Sequence, residues 1–123
     1  MASRKDRGDK AEDLACKYLE KQNIKILKRN FHGKQGELDI VGRQDDCICV
    51  VEVRSRGKGS AYVPEESLTK QKRTRLRKTT NYFLTKYGLS GRPLRMDLLV
   101  IDWETGGPEI RFYPGTIRES LSR

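Results

Sequence analysis

Apolar and polar residues alternate most tellingly between Gly36 and Arg56. This stretch reads Gly-Glu-Leu-Asp-Ile-Val-Gly-Arg-Gln-Asp-Asp-Cys-Ile-Cys-Val-Val-Glu-Val-Arg-Ser-Arg. Two runs rich in β-branched residues flank a polar centre, the pattern of two strands joined by a tight turn. Folding the ribbon about Asp45 and Asp46 sets Val41 opposite Val50, Ile40 opposite Val51 and Asp39 opposite Glu52. A turn one residue longer would set Leu38 opposite Glu52 and send the two acids to opposite faces.

The rest of the chain divides by the same reading. Residues 1–7 are charged and read as a disordered start. Ala11, Leu14, Ala15, Tyr18 and Leu19 recur at helical spacing and predict a helix over about Asp9–Gln22. Asp9 and Glu12 are spaced as its capping box. Ile24–Phe31 reads as a strand, with Ile24, Ile26 and Lys28 on one face and Leu27 on the other, and Asn30–Gln35 as a turn. Pro64-Glu65-Glu66 suits the first turn of a second helix, running to Tyr87 with Gly88 as its stop. Its apolar stripe is Leu68, Leu76, Phe83, Leu84 and Tyr87. After a Gly/Pro linker, Leu94–Trp103 is a strand whose run Leu98-Leu99-Val100-Ile101 predicts burial on both faces. Thr105–Pro108 turns, Glu109–Tyr113 makes an edge strand with Ile110 and Phe112 on one face, and the tail beyond Ile117 reads as loose. The order α-β-β-β-α-β-β predicts one α/β domain, a central mixed sheet flanked by helices. A right-handed crossover follows if the strands around the second helix are parallel.

Two acids interrupt apolar runs. Asp39 lies between Leu38 and Ile40, and Glu52 between Val51 and Val53. Directly opposed residues have Cβ atoms about 4.5–5.5 Å apart, and like charges so placed repel. A divalent cation between them would reverse the sign, and hard carboxylate oxygens suit Mg2+ or Mn2+. Arg54 falls on the Glu52 face by alternation. The plainer reading makes Glu52 and Arg54 an ordinary surface pair, but Ile48 and Val50 share that face.

The 123 residues suffice for one modest core, and 26 Lys and Arg against 17 Asp and Glu leave a net charge of +9. That excess fits a polyanionic partner, most simply DNA or RNA. No long apolar stretch or amphipathic anchor points to a membrane, and the N-terminus lacks the apolar segment of a signal peptide, which predicts a cytoplasmic protein. Lys70–Lys78 holds six basic residues in nine and no acid. Solvated helices mix signs, so this accumulation opposes helix stability and suggests phosphate binding through Lys70, Lys72, Arg73 and Arg75. Arg56 and Lys58 sit in a Gly-rich loop that reads either as a plain solvated loop or as a further backbone contact. Cys16, Cys47 and Cys49 read as small apolar fillers rather than a zinc site, and His32, at a predicted turn, carries no chemistry.

The succession Gly-Glu-Leu-Asp, Val-Glu-Val-Arg and a Lys/Arg-rich helix resembles the PD-(D/E)XK nuclease superfamily. The match is close to the YraN-like uncharacterised bacterial family, whose members look like archaeal Holliday-junction resolvases. Matching segments are Gly8–Leu19, Gly36–Arg56, Pro64–Leu84 and Arg95–Val100. The resemblance implies a restriction-endonuclease-like fold and a metal-dependent endonuclease acting on nucleic acid. Asp39, Glu52 and the Val53 carbonyl would hold Mg2+ or Mn2+, and Arg54 would stabilise developing charge. It also gives Glu12 a place near the metal, beside its capping reading, and Lys72 a substrate phosphate. Asp97 matches a recurrent acid, with partnership to Arg95 as the plainer role. A homodimer would fit. The family usually carries Lys where this chain has Arg54, which leaves open a second reading: a nucleic-acid-binding module that keeps the fold without the chemistry.

Overall fold

The computed structural model describes residues 4–57, 68–103 and 106–117. Helix α1 (Arg4–Lys21) is followed by strands β1 (Lys25–His32), β2 (Glu37–Gln44) and β3 (Cys47–Arg56), helix α2 (Lys70–Lys86), and strands β4 (Leu94–Asp102) and β5 (Glu109–Tyr113). The α-β-β-β-α-β-β order of the α/β domain is as the sequence pattern predicts. The five strands form one mixed sheet in the order β1-β2-β3-β4-β5. β3 and β4, joined through α2, are parallel, and every other pair is antiparallel.

The sheet separates two apolar clusters. One, beneath α2, gathers Phe31, Leu38, Ile48, Val50, Leu98 and Val100 with Leu76, Phe83 and Leu84 of the helix. The other, beneath α1, gathers Ile24, Ile40, Cys49, Val51, Leu99 and Ile101 with Ala11, Ala15, Cys16 and Leu19. β4 feeds both, so Met96 to Asp102 are all buried. The thiols of Cys16 and Cys49 are buried, and burial pushes both pKa values up, that of Cys49 to about 11. All three cysteines are unbridged and pack with the α1 cluster, as apolar fillers would.

The hairpin closes through the two-residue turn Asp45-Asp46, with Gln44 opposite Cys47 and Asp45 at φ +54°. Short polar residues tolerate that left-handed geometry. Val41 pairs with Val50 and Ile40 with Val51, the expected register. Gly42 is required: a Cβ there would lie 2.6 Å from Ile24 Cγ2 and 3.0 Å from the Lys25 carbonyl oxygen.

Three expectations need correction. α1 begins at Arg4, inside the segment expected to be disordered. Nothing in Arg4-Lys5-Asp6-Arg7 breaks a helix, and Gly8 alone costs only about 1 kcal/mol. Asp9 and Glu12 are therefore interior positions and form no capping box. α2 does not run from Pro64. Thr69 is its N-cap, extended at φ −67° and ψ 162°, and its side chain accepts the Lys72 N–H at 3.2 Å. Pro64-Glu65-Glu66 and Lys58 lie outside the described residues. Finally, β1 does not alternate regularly. Ile26 pairs with Gly42 and Lys28 with Val41, leaving Leu27 as a bulge. Such a bulge twists an edge strand away from further pairing.

Candidate active site and its basic cleft

A second irregularity makes the site. Leu38 and Ile40 are two residues apart, a spacing that puts side chains on one face of a regular strand. Here Leu38 enters the α2 cluster and Ile40 the α1 cluster. The partner strand does the same. Arg29 reaches the acids of α1 while Phe31 packs under α2, and Asn30 between them has φ +52°. The β1–β2 ribbon thus turns over at Asn30 and Asp39.

That is where β2 and β3 part. Ile40–Val51 ends their ladder, and Asp39 Oδ2 accepts the Val53 N–H at 2.9 Å. Glu52 stands next to this bond, close enough to Asp39 for the two carboxyl groups to interact directly. Burial first, and the Asp39 carboxylate second, push the Glu52 pKa up to about 8, against the weaker opposing pull of Arg54 and Lys72. The acids the sequence set opposite each other are in contact, at a strand fork rather than on a flat ladder.

Glu52 opens into a cleft of about 220 Å3 between the sheet and α2, whose walls include Glu37, Arg54, Lys72, Arg75 and Thr79. Arg54 Nε is buried without a hydrogen-bond partner and stays 3.9 Å from Glu52 Oε1. A buried donor left unmade costs about 1–3 kcal/mol, so an incoming acceptor would be favoured there. On the other side Asp39 lines a groove of about 290 Å3 with Asp9, Glu12, Asn30, Val53 and Ser55. Arg29 Nε donates to Glu12 Oε1 at 3.1 Å and its Nη2 to Asp13 Oδ1 at 2.7 Å. Burial raises the Glu12 pKa while Arg29 opposes that shift. Among the described residues no three acidic, histidine or cysteine side chains converge tightly enough to cage a metal ion by themselves.

Of the basic residues singled out in the sequence, Lys72 and Arg75 reach the cleft. Lys70 is exposed at the start of α2. Arg73 turns back, its Nη1 donating to the Leu68 carbonyl at 3.3 Å, which ties it to the helix entry. Arg56 ends β3, where its carbonyl accepts the Trp103 N–H. Asp97 takes the structural role. It is fully buried, Arg95 clasps it through Nε and Nη2 at 2.8 and 3.1 Å, and the Gly115 N–H donates to it at 2.7 Å. His32 pairs with Glu37 on the surface at 3.1 Å. Sequence reasoning missed Arg29, Glu37 and Thr79. Arg29 meets Glu12 across seventeen residues, with no local signal to announce it. Thr79, with Gly33 and Gly36 packed against it, had only its helical spacing from Lys72 and Arg75.

Residues 11–101 match the profile described as the uncharacterised protein family UPF0102. The chain belongs to this family. A UPF0102 protein of Nitrosococcus oceani is 31% identical over 118 residues, covering 95% of each chain. Another, of Persephonella marina, is 37% identical over 95 residues, 77% of this chain and 82% of the relative. One of Campylobacter jejuni is 39% identical over 90 residues, 73% and 78%. The matched span includes Glu12, Asp39, Glu52, Arg54, Lys72, Arg75 and Asp97. The YraN-like family anticipated from the motifs is this one, and its relatives' names state no activity. Among the described residues no helix is long and apolar enough to cross a membrane.

Proposed function

We propose that this UPF0102 protein is a metal-dependent phosphodiesterase of the PD-(D/E)XK nuclease superfamily, acting on nucleic acid and most simply on DNA. The observation that carries the reading is the Asp39–Glu52 pair. The two carboxyl groups lie close enough at a strand fork to interact directly, Glu52 opening toward a cleft lined by Arg54, Lys72 and Arg75 and Asp39 toward the Glu12 groove. A fold does not keep a repelling pair half-buried for stability's sake.

The donor set fits Mg2+ or Mn2+. Both acids offer hard oxygens, the Val53 carbonyl is adjacent, and part of the rise in the Glu52 pKa, after burial, comes from the Asp39 charge that a cation would offset. A divalent ion held there would supply Lewis acidity, lowering the pKa of a water and offsetting charge on the scissile phosphate. The protein's own parts are then assigned by position. Asp39 is fixed by the Val53 N–H, so its free oxygen has a set direction. Arg54, with its unmatched Nε, would take a phosphate oxygen as charge develops. Lys72 and Arg75 would hold the strand against the cleft wall.

The second reading, a binding module without chemistry, is favoured by one feature. The guanidinium of Arg54 is always protonated and accepts no proton. If the reaction needs a base at that position, the chain binds and does not cut. Incubation with labelled duplex, branched and single-stranded substrates in Mg2+, Mn2+ or EDTA decides between them. Metal-dependent cleavage that Asp39→Asn abolishes supports the first reading. Binding without cleavage in every metal supports the second. Absence of any nucleic-acid binding removes both.

A further inference from the structure

The cleft at Glu52 does not end at Thr79. The same threonine is a wall of a neighbouring groove of about 330 Å3, lined by Gly33, Lys34, Gln35, Lys78, Asn81 and Tyr82. Its volume is at the small end of the roughly 300–1,000 Å3 of pockets that take one compact ligand. Tyr82 is 48% exposed. Its ring is backed by Phe31, with centroids 6.0 Å apart, and Phe31 is itself braced by Phe83 at 5.0 Å and Tyr87 at 6.2 Å. Lys86 Nζ lies 5.8 Å over the Phe31 and Tyr87 rings, adding a cation behind the platform. The groove therefore combines a supported aromatic ring, two lysines at its walls, and the side-chain amides of Gln35 and Asn81.

These chemistries suit one kind of occupant. Aromatic rings stack nucleobases of any sequence, lysines meet phosphates, and amides both donate to and accept from base edges. Paired bases hide their faces from such a ring, so the occupant must be unpaired. We propose that this groove binds an unpaired nucleotide of the substrate, with its base stacked on Tyr82 and the adjoining phosphates at Lys34 and Lys78. The proposal rests on the reading of the Glu52 cleft as a nucleic-acid site, and it narrows the substrate class to strands with a single-stranded segment beside the point of action. Spacing sets the segment's length. Lys72, Arg75, Thr79, Tyr82 and Lys86 follow one another three or four residues apart and form one stripe of α2. Lys72 and Tyr82 are ten residues apart, about 15 Å along the axis at 1.5 Å per residue. That spans about four stacked nucleotides at 3.4 Å each, and fewer if the strand is stretched.

The test uses the full chain in EDTA, so that binding is read without cutting. Anisotropy is measured for a blunt DNA duplex and for the same duplex carrying a six-nucleotide single-stranded overhang. The overhang duplex should bind more tightly. Tyr82→Ala should remove that preference, a loss of about tenfold, and leave the blunt duplex unchanged. Tyr82→Phe keeps the ring and should keep the preference. A 2-aminopurine moved along the overhang should be quenched at one or two positions only, and Tyr82→Ala should abolish that quenching. Equal binding of both duplexes by the wild type, or equal losses for both in Tyr82→Ala, would overturn the unpaired-nucleotide site while leaving the cleft reading in place. A wild type that binds neither duplex at low salt would overturn both.

Discussion

Replacing Glu52 by Gln tests whether the acid pair opposes folding, without any assumption about metal or substrate. In the folded protein Glu52 keeps its proton up to about pH 8, against 4.5 when unfolded. The native state therefore binds that proton more tightly. The Glu52 contribution to wild-type stability therefore falls as pH rises through the window from about 4.5 to about 8. At 1.36 kcal/mol per pH unit, the full gap is about 5 kcal/mol. Part of it will not be recovered, since the Gln amide is itself a polar group buried beside Asp39. A net gain of about 2 kcal/mol at pH 9 is the expectation, equivalent to about 8 °C in Tm for a chain of this size. At pH 5 the wild-type carboxyl is already protonated, so Gln and Glu should be nearly equivalent there.

The assay is thermal unfolding of both proteins in EDTA at pH 5, 6, 7, 8 and 9. The Tm difference should be near zero at pH 5 and open progressively toward pH 9. A difference that is constant across the range, or a Gln variant less stable at pH 9, would refute the claim that burial and Asp39 hold Glu52 neutral. Mn2+ adds a second reading at pH 8. It should stabilise the wild type by preferring the native state, and the gain should shrink in Glu52→Gln.

Asp39→Asn should keep the Val53 N–H bond through its amide oxygen, so its Tm in EDTA should equal or exceed that of the wild type, while stabilisation by Mn2+ disappears. Changing Lys72 and Arg75 to Ala should weaken nucleic-acid binding and flatten the log–log salt dependence by about 2, one for each phosphate no longer neutralised, as measured by anisotropy between low and moderate salt. Arg73→Ala should instead lower Tm modestly with little effect on the salt slope, because its guanidinium closes the Leu68 carbonyl. Asp97→Ala should be severely destabilising, by about 3–5 kcal/mol in denaturant titration, since it strands Arg95 and the Gly115 N–H.

The hairpin was legible because three independent cues agree. β-branched runs of matched length, a short-polar turn at Asp45-Asp46 and apolar partners at Val41–Val50 all select one register. Strand β4 was legible from four consecutive apolar residues, a run that only a doubly covered strand can bury. The start of α2 was not, because Pro64-Glu65-Glu66 carries a stronger local signal than Thr69, and only the structure shows Thr69 capping Lys72. Charge alone ranked Arg73 equal to Lys72. Which basic side chains face the cleft depends on where the helix begins and how it rolls on Leu76, Phe83 and Leu84.

The turnover of the ribbon beside Asp39 was hidden for a physical reason. Alternation predicts faces only while a strand keeps its pleat, and this ribbon abandons it at Asn30 and Asp39 together. Asn30 takes a left-handed φ without a glycine to flag it, and the sequence that marks Asp39 as an acid in an apolar run gives no sign that the strand turns over there. Had the ribbon stayed regular, Asp39 would have shared a face with one helix and ended there. Turning over puts it in the gap left by the parting of β2 and β3, where it holds the Val53 N–H, touches Glu52 on the α2 side and lines the Glu12 groove on the α1 side. One side chain thereby joins the two faces of the sheet. The same turnover brings Phe31 beneath α2, where it backs Tyr82. A single backbone irregularity thus builds both the acid pair and the aromatic platform, and ties the spacing between them to the rigid length of α2.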